Sequence, residues 1–135
     1  MAGVNLIEVV FDTTKTGLET IMRPWEAEAL EYMWSRDGEI VSTREVWEHV
    51  YPLYGISRAS INQFLMRMAF VGVLVNRPQM GKGGLHGRFT PRLDEAAFRR
   101  EAVKKILDNL LDSFPEAGWE QIQVYQPRQK PFTSS

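Results

Sequence analysis

Arg58-Ala59-Ser60-Ile61-Asn62-Gln63-Phe64-Leu65-Met66-Arg67 is the stretch of this chain whose residue types could act chemically on a partner. The amides of Asn62 and Gln63 each present a donor beside an acceptor, which matches the adenine edge. A guanidinium such as Arg58 or Arg67 matches guanine or grips a phosphate. Further cations follow at Arg77, Lys82 and Arg88, and the whole block 49–93 holds six Lys and Arg with no Asp or Glu. Residues 1–48 are the opposite, with four basic and ten acidic side chains, and the complete chain nets only −1. A small overall charge argues against a polyanionic partner, but an acid-free block around amide-bearing residues argues for one. The plainer alternative is a basic patch that serves solubility.

Other chemistries have little to stand on. The chain has no cysteine, which excludes a disulfide framework, a thiolate zinc site and a thiol nucleophile. Only His49 and His86 could ligate through imidazole, so no metal and no cofactor is expected. Ser60 and His49 lack a nucleophile–base spacing, and Glu26, Glu28 and Glu31 read as a solvated helix face, so no catalytic residue is expected. Gly81, Gly83, Gly84 and Gly87 do not follow the phosphate-loop spacing and do not precede a helix. His86 reads as a polar loop residue. Trp25, Trp34 and Trp47 read as core.

The elements that must position the polar residues can be traced along the chain. Val4–Phe11 reads as a short strand. Arg23-Pro24-Trp25-Glu26 opens a helix, with proline in its first turn and acids at its positive end. Trp25, Ala29, Leu30, Met33 and Trp34 recur at helical spacing, and Asp37-Gly38 ends the helix. Ser42-Thr43-Arg44-Glu45 is a capping box that starts a second helix, which Pro52 is expected to stop. Ser57 caps a third, Arg58–Val71, and Gly72 closes it. At about 100° per residue, Ile61, Phe64, Leu65, Met68 and Val71 share an inner face. Arg58, Ala59, Asn62, Gln63, Met66 and Arg67 are left outside, and Met66 and Phe70 are apolar misfits on that outer side. Val73-Leu74-Val75 and Arg88-Phe89-Thr90 read as a hairpin whose tip, Arg77–Gly87, is expected to be a flexible loop. Asp94–Phe114 reads as a long helix, and the tail beyond it as irregular, with a short strand at Ile122–Tyr125.

Helix, helix, turn, helix, hairpin is the order of a winged helix-turn-helix. The stretch from Arg23 to Phe114 also resembles the penicillinase-repressor family, the BlaI/MecI-type regulators. The resemblance rests on Glu26-Ala27-Glu28-Ala29-Leu30-Glu31-Tyr32-Met33-Trp34 and Arg44-Glu45-Val46-Trp47. It continues through Ser57-Arg58-Ala59-Ser60-Ile61-Asn62-Gln63-Phe64-Leu65-Met66-Arg67-Met68 and Val71-Gly72-Val73-Leu74. Arg88-Phe89-Thr90-Pro91, followed by Asp94-Glu95 and Phe98, completes it. The resemblance implies a homodimer on a palindromic operator that represses nearby genes, with residues 58–63 in the major groove. Ala59 and Asn62 stand where the family usually carries lysine or threonine, so a different operator is implied. The C-terminal cysteines of the copper-responsive branch have no counterpart here.

The expectation is therefore a mainly α fold with a small β-hairpin: a winged helix-turn-helix plus a C-terminal dimerisation helix. Its parts are an N-terminal extension 1–22, a DNA-binding domain 23–92, a dimerisation helix 93–115 and a tail 116–135. The candidate contacts to double-stranded DNA are Arg44, Ser57, Arg58, Ser60, Asn62, Gln63, Arg67, Arg77, Lys82 and Arg88. Two of these have competing structural roles: Arg67 could equally pair with a first-helix glutamate, and Ser57 is first a helix cap. The candidate seam between two copies is Phe98, Val103, Ile106, Leu107, Leu110, Leu111 and Phe114. No membrane span or secretory signal is read, so a cytoplasmic location is expected. The rival reading is a winged helix used for protein–protein assembly. A small enzyme is a more distant third.

Overall fold

The computed structural model describes residues 10–128, which are mostly helical with a small antiparallel sheet. A short 3-10 turn at Gly17–Thr20 comes first, and its Leu18 is buried in the core. Part of the segment expected to be a mere extension therefore packs on the body of the protein. The strand expected at Val4–Phe11 falls largely outside the described residues; Val10 and Phe11 are not in a strand.

Helix α1 spans Pro24–Ser35. Pro24 fits its first turn because no intrahelical partner is missed there, and Glu26 Oε1 accepts the Arg23 N–H at 2.9 Å. Ala29, Leu30 and Met33 are buried along one side. The chain reverses at Asp37 and Gly38, both at positive φ (53° and 82°). Strand β1 is Val41–Ser42. Ser42 then caps helix α2, Thr43–Tyr54, reciprocally: its Oγ accepts the Glu45 N–H (3.1 Å) and its own N–H reaches Glu45 Oε1 (2.8 Å).

Pro52 does not stop α2, contrary to the sequence expectation. A proline forfeits its own N–H bond and crowds the carbonyl four residues back, and in the last turn little helix remains beyond it to be displaced. The helix ends instead at Gly55, whose left-handed φ of 67° suits glycine and whose N–H reaches Tyr51 O at 2.8 Å. Helix α3 is Arg58–Phe70, capped by Ser57 Oγ accepting the Ser60 N–H at 3.1 Å. Ile61, Phe64, Leu65 and Met68 are buried as the periodicity expects, and Val71 with them.

Strands β2 (Leu74–Asn76) and β5 (Arg88–Pro91) pair antiparallel, and β5 also pairs with β1, giving the order β1-β5-β2. Phe89 of β5 is fully buried beneath α1–α3 residues of the same core cluster. The stretch expected to be a flexible tip is instead a second ribbon, β3 (Gln79–Gly81) with β4 (Gly84–His86). Met80 faces Leu85 across it, and Lys82-Gly83 forms the turn, with Gly83 at φ 85°.

Helix α4 spans Glu95–Ser113, and Asp94 Oδ1 caps it by accepting the Ala97 N–H at 2.8 Å. The chain divides into two compact units, the first ending at Ala102 and the second starting at Val103, so α4 contributes to both. In the first unit, Phe98 is 1% exposed and its ring stands 5.6 Å from that of Trp34, whose Nε1 donates to Leu93 O at 2.9 Å. In the second, helix α5 runs Pro115–Val124. This corrects the expectation of an irregular tail with a strand at Ile122–Tyr125. Proline fits the first turn of a new helix as well as it ends an old one, and Glu116 sits in that turn.

Candidate nucleic-acid interface

Ser57, by capping α3, fixes how that helix begins, and its hydroxyl also donates to Ser60 Oγ at 3.1 Å. The two serines and Arg58 thus cluster at the positive end of α3, with Ser57 and Arg58 exposed. One turn on, Asn62 and Gln63 are both exposed on the outer face. Asn62 is held from below, since its Oδ1 accepts from Thr43 Oγ1 at 2.9 Å. Thr43 is nearly buried at the start of α2, and its backbone N–H reaches Gly87 O at 3.4 Å.

That contact joins α3 to the hairpin. Arg88, directly after Gly87, is the register partner of Ser42 and is half-buried. Arg77 lies across the hairpin from it, its N–H bonded to Arg88 O at 2.6 Å. Lys82 is exposed at the far turn. A further tie runs from Asn76 Nδ2 at the end of β2 to Met66 Sδ on α3, at 3.5 Å. Asn62, Thr43, Gly87 and Arg88 therefore form one connected patch. Lys82 lies at the end of a ribbon leading away from it.

Arg58, Arg77, Lys82 and Arg88 form no ion pair among the described residues. An acid-free sequence block leaves no carboxylate of its own to neutralise them. Arg44 differs: it is exposed in the first turn of α2 but engages Glu48 at 3.0 Å, an i,i+4 pair of little energetic weight that a phosphate could displace.

Arg67 takes up the structural one of the two roles open to it, pairing with a first-helix glutamate. Its Nη2 donates to Glu26 Oε2 at 2.9 Å, across from α3 to α1, and its guanidinium lies 5.4 Å from the Phe64 ring centroid. Glu26 is only 5% exposed, so its carboxylate needs that cation; removing it would strand a buried charge. His86 Nε2 contacts Lys82 O at 2.7 Å, a bond internal to the β3–β4 turn.

The proposed seam residues divide too. Phe98 is consumed in the core of its own chain, and Leu111 is half-buried close to Gly118 of α5, where an added Cβ would lie 3.0 Å from Leu111 Cδ2. Val103, Leu107, Leu110 and Phe114 are exposed, and Ile106 is half-buried. Sequence reasoning missed Thr43 as the residue that sets Asn62, because nothing in the spacing of 43 and 62 announces contact. It also missed the exposed aromatics of the tail, Trp119 and Tyr125.

Among the described residues no helix is long and apolar enough to cross a membrane, and no group of three His, Cys, Asp or Glu could hold a metal ion. No family model matches the chain, and no curated protein matches its sequence. A solved structure described as a possible transcriptional regulator from Methanosarcina mazei Go1 matches with a TM-score of 0.55 at 8% identity, covering 78% of this chain and 81% of that one. At that identity the likeness shows a shared fold, and it does not single out the penicillinase-repressor family.

Proposed function

We propose that the chain is a sequence-specific DNA-binding transcriptional regulator and not an enzyme. In this reading residues 23–92 act as a winged helix, with α3 as the reading helix and the β2–β5 hairpin with its β3–β4 extension as the wing. The observation that carries it is the set of unneutralised cations, Arg58, Arg77 and Arg88 on the elements joined at Asn62 and Lys82 at the far turn of the ribbon, together with the exposed amides of Asn62 and Gln63. A helix of this width fits the major groove, its N-terminal turn suits a phosphate, and a basic ribbon beside it reaches the adjoining backbone. The structural neighbour's description as a possible transcriptional regulator supports the same theme.

The finer parts are proposals of the same kind. Two copies associate through Val103, Leu107, Leu110 and Phe114, bind a palindrome, and repress nearby genes, as in the penicillinase-repressor family that the sequence resembles. Such a protein works in the cytoplasm. The test is selection of bound duplexes from random DNA, followed by titration of the selected site and a scrambled one over a range of salt. A DNA reader gives a linear fall of log affinity with log salt and a clear preference for the selected site. Absence of binding to any duplex at low salt overturns the reading.

A protein–protein module is the second reading, favoured by Met66 and Phe70, which are 44% and 80% exposed on α3. Large apolar side chains exposed side by side are a feature of protein-contact surfaces.

A further inference from the structure

Behind the reading face of α3 lies a cavity of about 710 Å³, wholly within the first compact unit. Helix α3 supplies one wall through Phe64, Arg67 and Met68, so the helix that carries Asn62 and Gln63 outward lines the cavity inward. Met22 and Phe98 also line it, as do Asp12 and Lys15 from the segment before the 3-10 turn. Asp12 is an anion there: hydrogen bonds from the Thr14 side chain (2.6 Å) and backbone (2.9 Å) hold its carboxyl below the usual range.

The size is that of a small-molecule site, and the lining sets three cations, Lys15, Arg23 and Arg67, and three acids, Asp12, Glu19 and Glu26, among apolar side chains. Of its three cations, Arg67 is the one whose placement is most defined. Arg67 gives one N–H to Glu26, and the rest of the guanidinium's donors are not used by that bond. Glu26 is satisfied by Arg67 and by the Arg23 N–H, one on each oxygen. A ligand therefore has no reason to displace Glu26, and displacing it would strand a buried carboxylate. What the wall offers is a forked guanidinium, tethered to Glu26 and lying over Phe64, in a lining shared with Met68 and Phe98.

We propose that this cavity binds an amphipathic organic anion, an apolar body with one carboxylate, and that occupancy alters the DNA affinity of α3. The carboxylate engages the edge of Arg67 that faces away from Glu26, and the body lies against Met22, Met68 and Phe98. The regulatory half rests on the DNA-reading function proposed above; the binding half does not. The coupling requires that a ligand against the inner face of α3 favour helix positions that differ from the DNA-bound one, because it can shift the equilibrium only by its differential affinity for them.

Methionine methyl NMR on the full chain, without DNA, tests the binding half, with decanoate as probe and decanol as its uncharged control. Met22 and Met68 line the cavity, Met33 is in the closed core, and Met66 and Met80 are exposed elsewhere. Decanoate should shift Met22 and Met68 saturably and leave Met66 and Met80 in place. The double variant Glu26→Gln/Arg67→Gln keeps the hydrogen bond without the charges; it should weaken decanoate about tenfold and leave decanol within about twofold. If that variant melts early, Arg67→Lys serves, since it keeps a cation for Glu26 but loses the planar fork. Shifts confined to Met66 and Met80, or equal decanoate binding by every variant, overturn the site. Fluorescence anisotropy of a labelled duplex then tests coupling. Decanoate should lower DNA affinity about fivefold or more in the wild type and not in the double variant. Decanoate binding with DNA affinity unchanged overturns the regulatory half, whereas failure to bind DNA at all sinks the function reading and leaves the cavity result standing.

Discussion

The Asn62 side chain is already oriented, because Thr43 Oγ1 donates to its Oδ1 at 2.9 Å. A carbonyl oxygen has a second lone pair, so this oxygen can accept from adenine while the amide nitrogen donates. Orientation fixed beforehand costs less at the moment of binding. Asn62→Ala should therefore lose roughly 1–3 kcal/mol on the selected site and little on scrambled DNA. Thr43→Val, which touches no base in this arrangement, should lose a smaller part of the same preference with its thermal unfolding little changed. Equal losses on both duplexes in a paired titration would move Asn62 from reading bases to holding the backbone. Arg67 is predicted to behave in the opposite way. Arg67→Met leaves Glu26 without its cation and should destabilise the fold by roughly 1–3 kcal/mol, less than a wholly buried pair because the arginine is half in water. Its DNA affinity, measured at a temperature where the variant is folded, should stay within about twofold of wild type. The sequence allowed both roles for Arg67, since periodicity places a residue on a helix face but says nothing of which neighbouring helix offers a carboxylate. Likewise Thr43 was legible only as the residue after a cap.

At the scale of elements, legibility followed local signals. The Ser42 capping box, the Ser57 cap and Gly72 mark real boundaries, since caps and left-handed turns depend on a few adjacent residues. Proline was the ambiguous signal. Pro52 lies inside α2, and Pro115 opens α5, where the expected end was also a beginning. Arg23-Pro24-Trp25-Glu26 had already displayed the pattern that Phe114-Pro115-Glu116 repeats, proline with an acid in the first turn, so α5 could have been read by the same rule. Glycine density hid the β3–β4 ribbon. Its strands are short and lack β-branched residues, and the pairing of Met80 with Leu85 is set by the Lys82-Gly83 turn. An ordered ribbon changes what is expected of the wing. Arg77, Lys82 and Arg88 sit at defined points along it, so each should act on the phosphate that it can reach. Arg77→Ala, Lys82→Ala and Arg88→Ala should each weaken all duplexes alike and reduce the slope of log affinity against log salt by about one unit. Selective loss on the preferred site alone would make the ribbon a base reader.

For the molecule as a whole, the apolar residues left over after folding are the guide to assembly. The sequence stripe of α4 is longer than one core uses: Phe98 and Ala102 are spent in the first unit, and Val103, Leu107, Leu110 and Phe114 continue it unburied in the second. Their spacing of four, three and four residues is that of a helix–helix seam. Trp119 and Ile122 of α5 add further exposed apolar surface to the same unit. A second copy is the partner that such a stripe serves most directly, because one patch then covers its own counterpart about a two-fold axis, and the axis matches a palindromic site. The double variant Leu107→Asp/Leu110→Asp places charges in that seam without entering the core that holds α1 to α3. It should remain helical by circular dichroism, sediment as a monomer under conditions where the wild type is expected to sediment as a dimer, and bind a full palindrome with about the affinity of a half-site. Loss of the second half-site is a large effect, since two linked contacts gain roughly 10²–10⁴ over one. Sedimentation of the wild type as a monomer at micromolar concentration would remove the seam, and with it the reason to expect a palindrome.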